Sequence, residues 1–474
     1  MAKREIGLVA GYAISLVGGV LSLVLYAHML GPADYGRLAV YLALVEALQG
    51  VLFQWHRLAI VKFWAASEKT DLASYLKTYH LMWLGLACAV LLMLGLALLV
   101  AGKPLNAEWP AVIAMGIGKS AALYAQEIAR AAGASLRYAF GALCMTIGSS
   151  IAGVVAFRTT HSITAILAAS TAVFVATSVV CGSGVGIASK RGQFSQQYFR
   201  SMLRYGLPLI PVCIAATALT RLDRPILAQF VTSSVVGVYA ASTALITNVI
   251  AAGCLLVVTP AYPWLLREKE RRPDEDYQRL HAQVGVLMLG CVLAISITLY
   301  CARAAVLPLL LGGPIGNAAQ TYVLPLLAIS IVGAFRNHFF DQAYHLFSKT
   351  RALMAINLAT LVVTVVALYV GARWAGLYGL LCGMMVANVL SILASATFAR
   401  SFVNLKQLGE GVGLLTLVSI AATLAGEFVV RTWLPAMADG RLASIASGAV
   451  AILVFAGGMY SANVGAIRSL ALRR

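Results

Sequence analysis

The sequence predicts an all-α polytopic membrane protein with about fourteen transmembrane helices. Mean hydropathy is +0.87 over 474 residues. Of the chain, 61% is hydrophobic and 11% charged, whereas soluble domains carry about a quarter charged residues. Apolar runs recur from end to end, each long enough to cross ~30 Å of hydrocarbon as a helix of ~20 residues. Helices are the form expected, because they satisfy their own backbone groups where lipid cannot.

In chain order the apolar runs place spans at 6–30, 36–56, 79–101, 108–128, 138–157, 163–187, 205–230, 236–262, 282–301, 321–346, 352–370, 376–398, 411–430 and 442–463. The first is too long for a signal-peptide core and is followed by no convincing cleavage site, so it reads as a mature span. Connections are short: the longest inner one runs over 263–281 and the longest outer one over 302–320. The eight cysteines (88, 144, 181, 213, 254, 291, 301, 382) fall within or at the edges of spans and read as packing residues.

Charge fixes the orientation. With the N-terminus inside, 24 of the 35 basic residues fall in inner segments, Arg57, Lys69, Arg468, Arg473 and Arg474 among them. Seven fall in outer ones: Arg37, Lys103, Arg158, Arg303, Arg373, Arg431 and Arg441. This bias predicts both termini in the cytoplasm. It accounts for most of the +18 net charge without a nucleic-acid partner.

Several chemistries find no support. Ile117–Ala121 contains the Gly-Lys-Ser of a phosphate-binding loop, but Ile113 stands where its first glycine belongs, inside a span rather than after a strand. Gly182 and Gly186, four apart, read as small-residue helix packing. No zincin-like His-Glu pair, serine-nucleophile elbow or metal-ligand spacing occurs. No cofactor is expected, and an enzyme is the weaker class.

Four basic residues remain inside the spans, Lys119, Arg221, Arg224 and Arg336, with four acids in or near them, Glu46, Glu127, Asp223 and Asp341. An Arg or Lys at a helix centre costs roughly 2.5–3.5 kcal/mol, so each should face protein or water. At ~1.5 Å per residue, Glu46, Lys119 and Arg336 lie roughly 15–23 Å from the outer face, around the middle. Arg221 lies in the outer half.

Arg221 and Arg224, three apart, share a face, and Asp223 points away from it. Pro225 cannot donate to the carbonyl of Arg221, which predicts a break there. The cluster suits a polar cavity; arginines reaching the outer interface, with an Arg–Asp packing pair, is the alternative. In the tenth span Asn337, Asp341 and His345 form one stripe flanked by Arg336 and His338. An Asp–His stripe would carry a coupling proton or serve as an interhelical hydrogen-bond ladder. Asp341, Glu46 and His345 are the candidates for ion or proton coupling. Glu127 with Arg130 reads as an interfacial ion pair.

Internal repetition is visible. "LGPADYGRLAVY" (30–41) follows the first span and "FVTSSVVGVYAA" (230–241) the seventh, with Gly36 matching Gly237. The segment after the fourth span resembles that after the tenth, which brings Lys119 to within about two residues of Arg336. Six spans separate the repeats, so both keep one orientation about an axis along the membrane normal.

These segments, with "YGLPLIP" (205–211) and "RLDRPILAQFVTSSVVGVYAAS" (221–242), resemble the polysaccharide (O-antigen or exopolysaccharide) flippase family of the multidrug/oligosaccharidyl-lipid/polysaccharide exporter superfamily. The matching positions are Gly31, Tyr35, Gly36, Tyr205, Gly206, Pro208, Asp223, Arg224, Gly237 and Tyr239. The resemblance implies a MATE-like exporter fold: pseudo-symmetric six-helix lobes at 1–195 and 196–402 around an alternately opening cavity. An additional helix pair at 403–474 is similar to that of lipid II flippases. The implied cargo is undecaprenyl-diphosphate-linked oligosaccharide, moved to the periplasmic leaflet of a bacterial inner membrane. Implied partners are that lipid-linked substrate, the bilayer, and the polymerase and chain-length machinery of the same pathway.

Arginine forks and a lysine point charge suit a diphosphate, so Arg221, Arg224, Lys119, Arg336 and Asp223 are the candidate substrate-binding residues. A proton- or sodium-coupled multidrug/cation antiporter of the same superfamily would favour an acid-dominated cavity. A membrane glycosyltransferase or polymerase would need catalytic carboxylates at a face.

Overall fold

A computed structural model of the chain describes residues 2–68, 71–101, 106–433 and 440–461; Lys69, Lys103, Arg468, Arg473 and Arg474 lie outside them. Among the described residues every regular element is a helix and no strand occurs. Among the described residues, eleven segments are long and apolar enough to span a membrane. One of them, Thr350–Ala399, is two rods joined at a kink. With the first helix, Ala2–Met29, and the more polar helix Glu108–Ala131, the fourteen expected spans are all represented. The chain divides into two compact units, Met1–Ala228 and Gln229–Arg474.

The first unit comprises α1 (Ala2–Met29), α2 (Pro32–Leu48), α3 (Gln54–Glu68), α4 (Leu72–Ala101), α5 (Glu108–Ala131), α6 (Ser135–Leu143), α7 (Ser149–Thr160), α8 (Ile163–Lys190), α9 (Gln196–Gly206), α10 (Ile210–Arg221) and α11 (Asp223–Leu227). Gly31, with extended backbone, and Pro32 at the first helical position start α2 cleanly. A π-helical segment, Gln49–Phe53, joins α2 to α3, so the second span runs on to Trp64. Arg57, expected just inside an inner connection, therefore lies on the helix itself. Small residues let α5 and α8 pack closely: a Cβ on Gly118 would sit 3.3 Å from Thr171 Cγ2, and one on Gly182 3.7 Å from Ala125 Cβ. The Gly-Lys-Ser run lies within α5 and Gly182 within α8, so both glycine motifs are helix, as expected.

At one end of this unit an aromatic core forms around Trp55, Ile60, Tyr75, Tyr79 and Tyr124. His56 is buried there, stacked on Tyr79 with ring centroids 3.8 Å apart. The Tyr79 hydroxyl donates to the His56 carbonyl at 2.6 Å. The seventh span, α9 to α11, packs against α2, α3 and α4. The repeat boundary expected at 195/196 and the compact boundary at 228/229 thus enclose this span between them.

The second unit comprises α12 (Ser233–Lys269), α13 (Asp274–Cys301), α14 (Arg303–Leu311), α15 (Gly313–Ala319), α16 (Val323–Phe335), α17 (Asp341–Leu346), α18 (Thr350–Ala399), α19 (Leu405–Trp433) and α20 (Gly440–Ser461). A straight helix of 50 residues would be about 75 Å long, more than twice the hydrocarbon thickness. The kink at Ala375 and Gly376, where Gly376 takes φ +55°, folds α18 back on itself at the place expected between the eleventh and twelfth spans. The rods touch through backbone: a Cβ on Gly379 would lie 1.9 Å from the Gly371 carbonyl oxygen. The additional pair, α19 and α20, packs on α13 through small residues, with Gly411 facing Val286 and Gly290 facing Met459. Ser444 Oγ donates to the Cys301 carbonyl at 2.9 Å, and Arg303 Nη2 lies 3.6 Å from Glu427 Oε1.

Candidate functional site

In the first unit the second and fourth spans run in the same direction and meet in three charged stations. At the N-terminal ends, Arg37 Nη2 lies 2.8 Å from Glu108 Oε1, and the Tyr41 hydroxyl donates to the other oxygen of the same carboxylate. Midway, Lys119 Nζ donates to Glu46 Oε1, and Arg221 Nη2 stands 4.0 Å from Glu46 Oε2. Towards the other end, Glu127 receives Arg130 Nε at 2.7 Å, with Arg57 Nε at 3.9 Å. The stations are 8 to 11 residues apart along each span, roughly 12–17 Å. The carboxylate alternates, on α5 at both ends and on α2 in the middle. This crossed pattern specifies the register of two otherwise apolar helices.

The middle station brings together most of the expected first-unit residues. Depth counting placed Glu46 and Lys119 at one level, and they form an ion pair. Arg221 ends α10, the chain bends at Leu222, and Asp223 opens the five-residue α11. That break falls where Pro225 denies the Arg221 carbonyl its partner. Lys119, Arg221 and Arg224 all act electrostatically on Glu46, while Asp223 is buried. Side-chain exposures of 21% for Lys119, 29% for Glu46 and 38% for Arg221 leave this station open. Its geometry can hold an anion: two cationic side chains already converge on one carboxylate, through separate oxygens.

The second unit has its own buried cation. Arg336 is only 7% exposed at its side chain. Its Nη1 donates to Asn337 Oδ1 at 3.0 Å, its Nη2 donates to Asn357 Oδ1, and Nη2 lies 3.5 Å from Asp341 Oδ1. Arg336 and Asp341 are five residues apart. At 100° per residue an α-helix would point them roughly 140° away from each other. The segment Arg336–Phe340 is π-helical, and its i→i+5 closure brings the pair together. Asn337 and His345 are exposed along the expected stripe, and His345 acts electrostatically on Asp341. The expected polar ladder is thereby redirected, since Asp341 turns to Arg336.

Sequence reading missed three participants. Asn357 sits in an apolar run with nothing to mark it. Arg57 was counted outside the span. Tyr41 pairs with Glu108, an acid that adjoins the fourth span and is matched in depth to Arg37, so depth counting extended to the span ends would have found that trio.

No family model and no curated protein matches this chain. Among solved structures the chain is similar to one described as the lipid II flippase MurJ in an inward closed conformation, with 14% identity, a TM-score of 0.66, and coverage of 98% of this chain and 100% of that one. It is also similar to an inward-facing multidrug resistance MATE family transporter of the MOP superfamily, with 16% identity, a TM-score of 0.54, and coverage of 83% and 98%. The expected exporter fold is therefore present: the chain has the all-helical fold of these membrane transporters, and the flippase match runs through the additional pair α19 and α20.

Proposed function

We propose that the protein is a flippase for undecaprenyl-diphosphate-linked oligosaccharide. It carries repeat units from the cytoplasmic to the periplasmic leaflet of a bacterial inner membrane by alternating access, for O-antigen, capsule or exopolysaccharide synthesis. The observation that carries this reading is the cation excess at the middle station, where Lys119 and Arg221 flank Glu46 with partly exposed side chains and Arg224 acts on it electrostatically. A diphosphate is the ligand such a station suits, because arginine forks and an ammonium bind phosphate oxygens at depths where an unmatched cation is costly. Support comes from the likeness to a lipid II flippase over nearly the whole chain.

Within this reading the repeats at 1–195 and 196–402 are the moving lobes and 403–474 an accessory pair. Asp223, buried and next in sequence to Arg224, belongs to the same substrate-binding set. Both termini face the cytoplasm, and polymerase and chain-length proteins take over the product.

The test replaces Lys119, Arg221 and Arg224 by Ala and measures lipid-linked oligosaccharide exposed at the periplasmic face. Loss of one charge-assisted phosphate contact, worth about 1.5–3 kcal/mol, lowers export roughly 10- to 100-fold at limiting cargo. Normal export by all three stably expressed variants refutes the assignment. Efflux of a lipophilic cation by the parent, with no effect on oligosaccharide, identifies an antiporter instead.

A further inference from the structure

The cations of the middle station are not bare. Glu46 spreads its carboxylate over two of them, Oε1 to Lys119 and Oε2 towards Arg221. That is how two oxygens of a phosphate would engage the same groups. We propose that Glu46 is a resident stand-in for the cargo anion: it occupies Lys119 and Arg221 when the site is empty and is displaced when a lipid diphosphate binds. The proposal rests on reading the middle station as a diphosphate site.

Three observations separate Glu46 from an ordinary structural partner. Glu127 is held at 2.7 Å by Arg130 and is 15% exposed, and Arg336 is 7% exposed and bonded to two asparagines. Glu46 is twice as exposed as Glu127, and its hold on Arg221 is at the limit of an ion pair, 4.0 Å. The π-helical segment Gln49–Phe53 begins three residues beyond Glu46, a local irregularity of the kind that accompanies functional sites. At Gly50 within it, an added Cβ would lie 2.3 Å from Thr217 Oγ1 of α10. The helix that carries Arg221 therefore closes directly onto the irregular segment beside Glu46.

Physical economy gives the arrangement a role. A cation at this depth without a counter-charge is costly, so an anion site that empties in every cycle needs a replacement anion. Exchange of carboxylate for phosphate avoids that state on loading. Return of the carboxylate drives cargo off on release.

The experiment uses the full-length protein in lipid nanodiscs, with farnesyl diphosphate as the probe. Glu46→Gln keeps the shape and removes the competing charge. It should tighten probe binding at least about tenfold and slow oligosaccharide turnover, because release loses its competitor. Glu46→Asp, one methylene shorter, should tighten binding to a smaller extent and gives a second reading if Gln impairs folding. Unchanged or weaker probe binding by both variants overturns the proposal. Lys119→Gln and Arg221→Gln are measured in parallel. If they weaken binding while the Glu46 variants do not tighten it, the stand-in fails and the diphosphate site survives; if they leave binding unchanged, the site reading itself fails.

Discussion

Removing the carboxylate of Asp341 should unmask the cost of a buried guanidinium. At 3.5 Å and an effective dielectric of 20, the attraction between Arg336 and Asp341 is about 5 kcal/mol, part of which offsets desolvation. Breaking a buried pair costs about 3–5 kcal/mol because the surviving charge stays behind. Asp341 is 23% exposed and Arg336 keeps its two asparagines, which places Asp341→Ala at the lower end, about 3 kcal/mol or roughly 100-fold in the unfolding equilibrium. The double variant Arg336→Met, Asp341→Leu removes both charges and should recover most of that loss. Equilibrium unfolding in mixed micelles, followed by tryptophan fluorescence, reads both. The reasoning is refuted if Asp341→Ala is neutral, or if the double variant is as unstable as the single one.

Two further outcomes follow from the second unit. Gly379→Val drives a side chain into the Gly371 carbonyl and should abolish monodisperse folded protein, whereas Gly409→Val, which meets nothing within 4 Å, should leave size-exclusion behaviour unchanged. If Asp341 takes up a proton during transport, Asp341→Asn export becomes insensitive to an imposed pH gradient to which the parent responds; identical responses assign the coupling elsewhere.

The apolar runs made the helices and the break near Gly376 legible, because lipid leaves few alternatives to a helix and a 50-residue rod cannot fit across it. Counting residues from the outer face matched Glu46 to Lys119, since parallel helices share one rise per residue. The same counting could not reveal the π-helical segments. Hydrogen-bond register leaves no trace in residue type, so a count at 100° per residue leaves Arg336 flanking the stripe rather than paired with Asp341. Arg57 differs for a related reason: a charge in the sequence suggests the end of a span, whereas on the helix Arg57 Nε lies 3.9 Å from Glu127 Oε1.

The alternating polarity of the three stations constrains how the first unit can flex. Sliding α2 and α3 past α5 by a single turn, about 5.4 Å, would part Glu108 from Arg37 and Glu46 from Lys119 and draw Arg57 away from Glu127 at once. These rods then move as one girder. Bending is left to the joint beside them, the bend at Leu222 between α10 and α11.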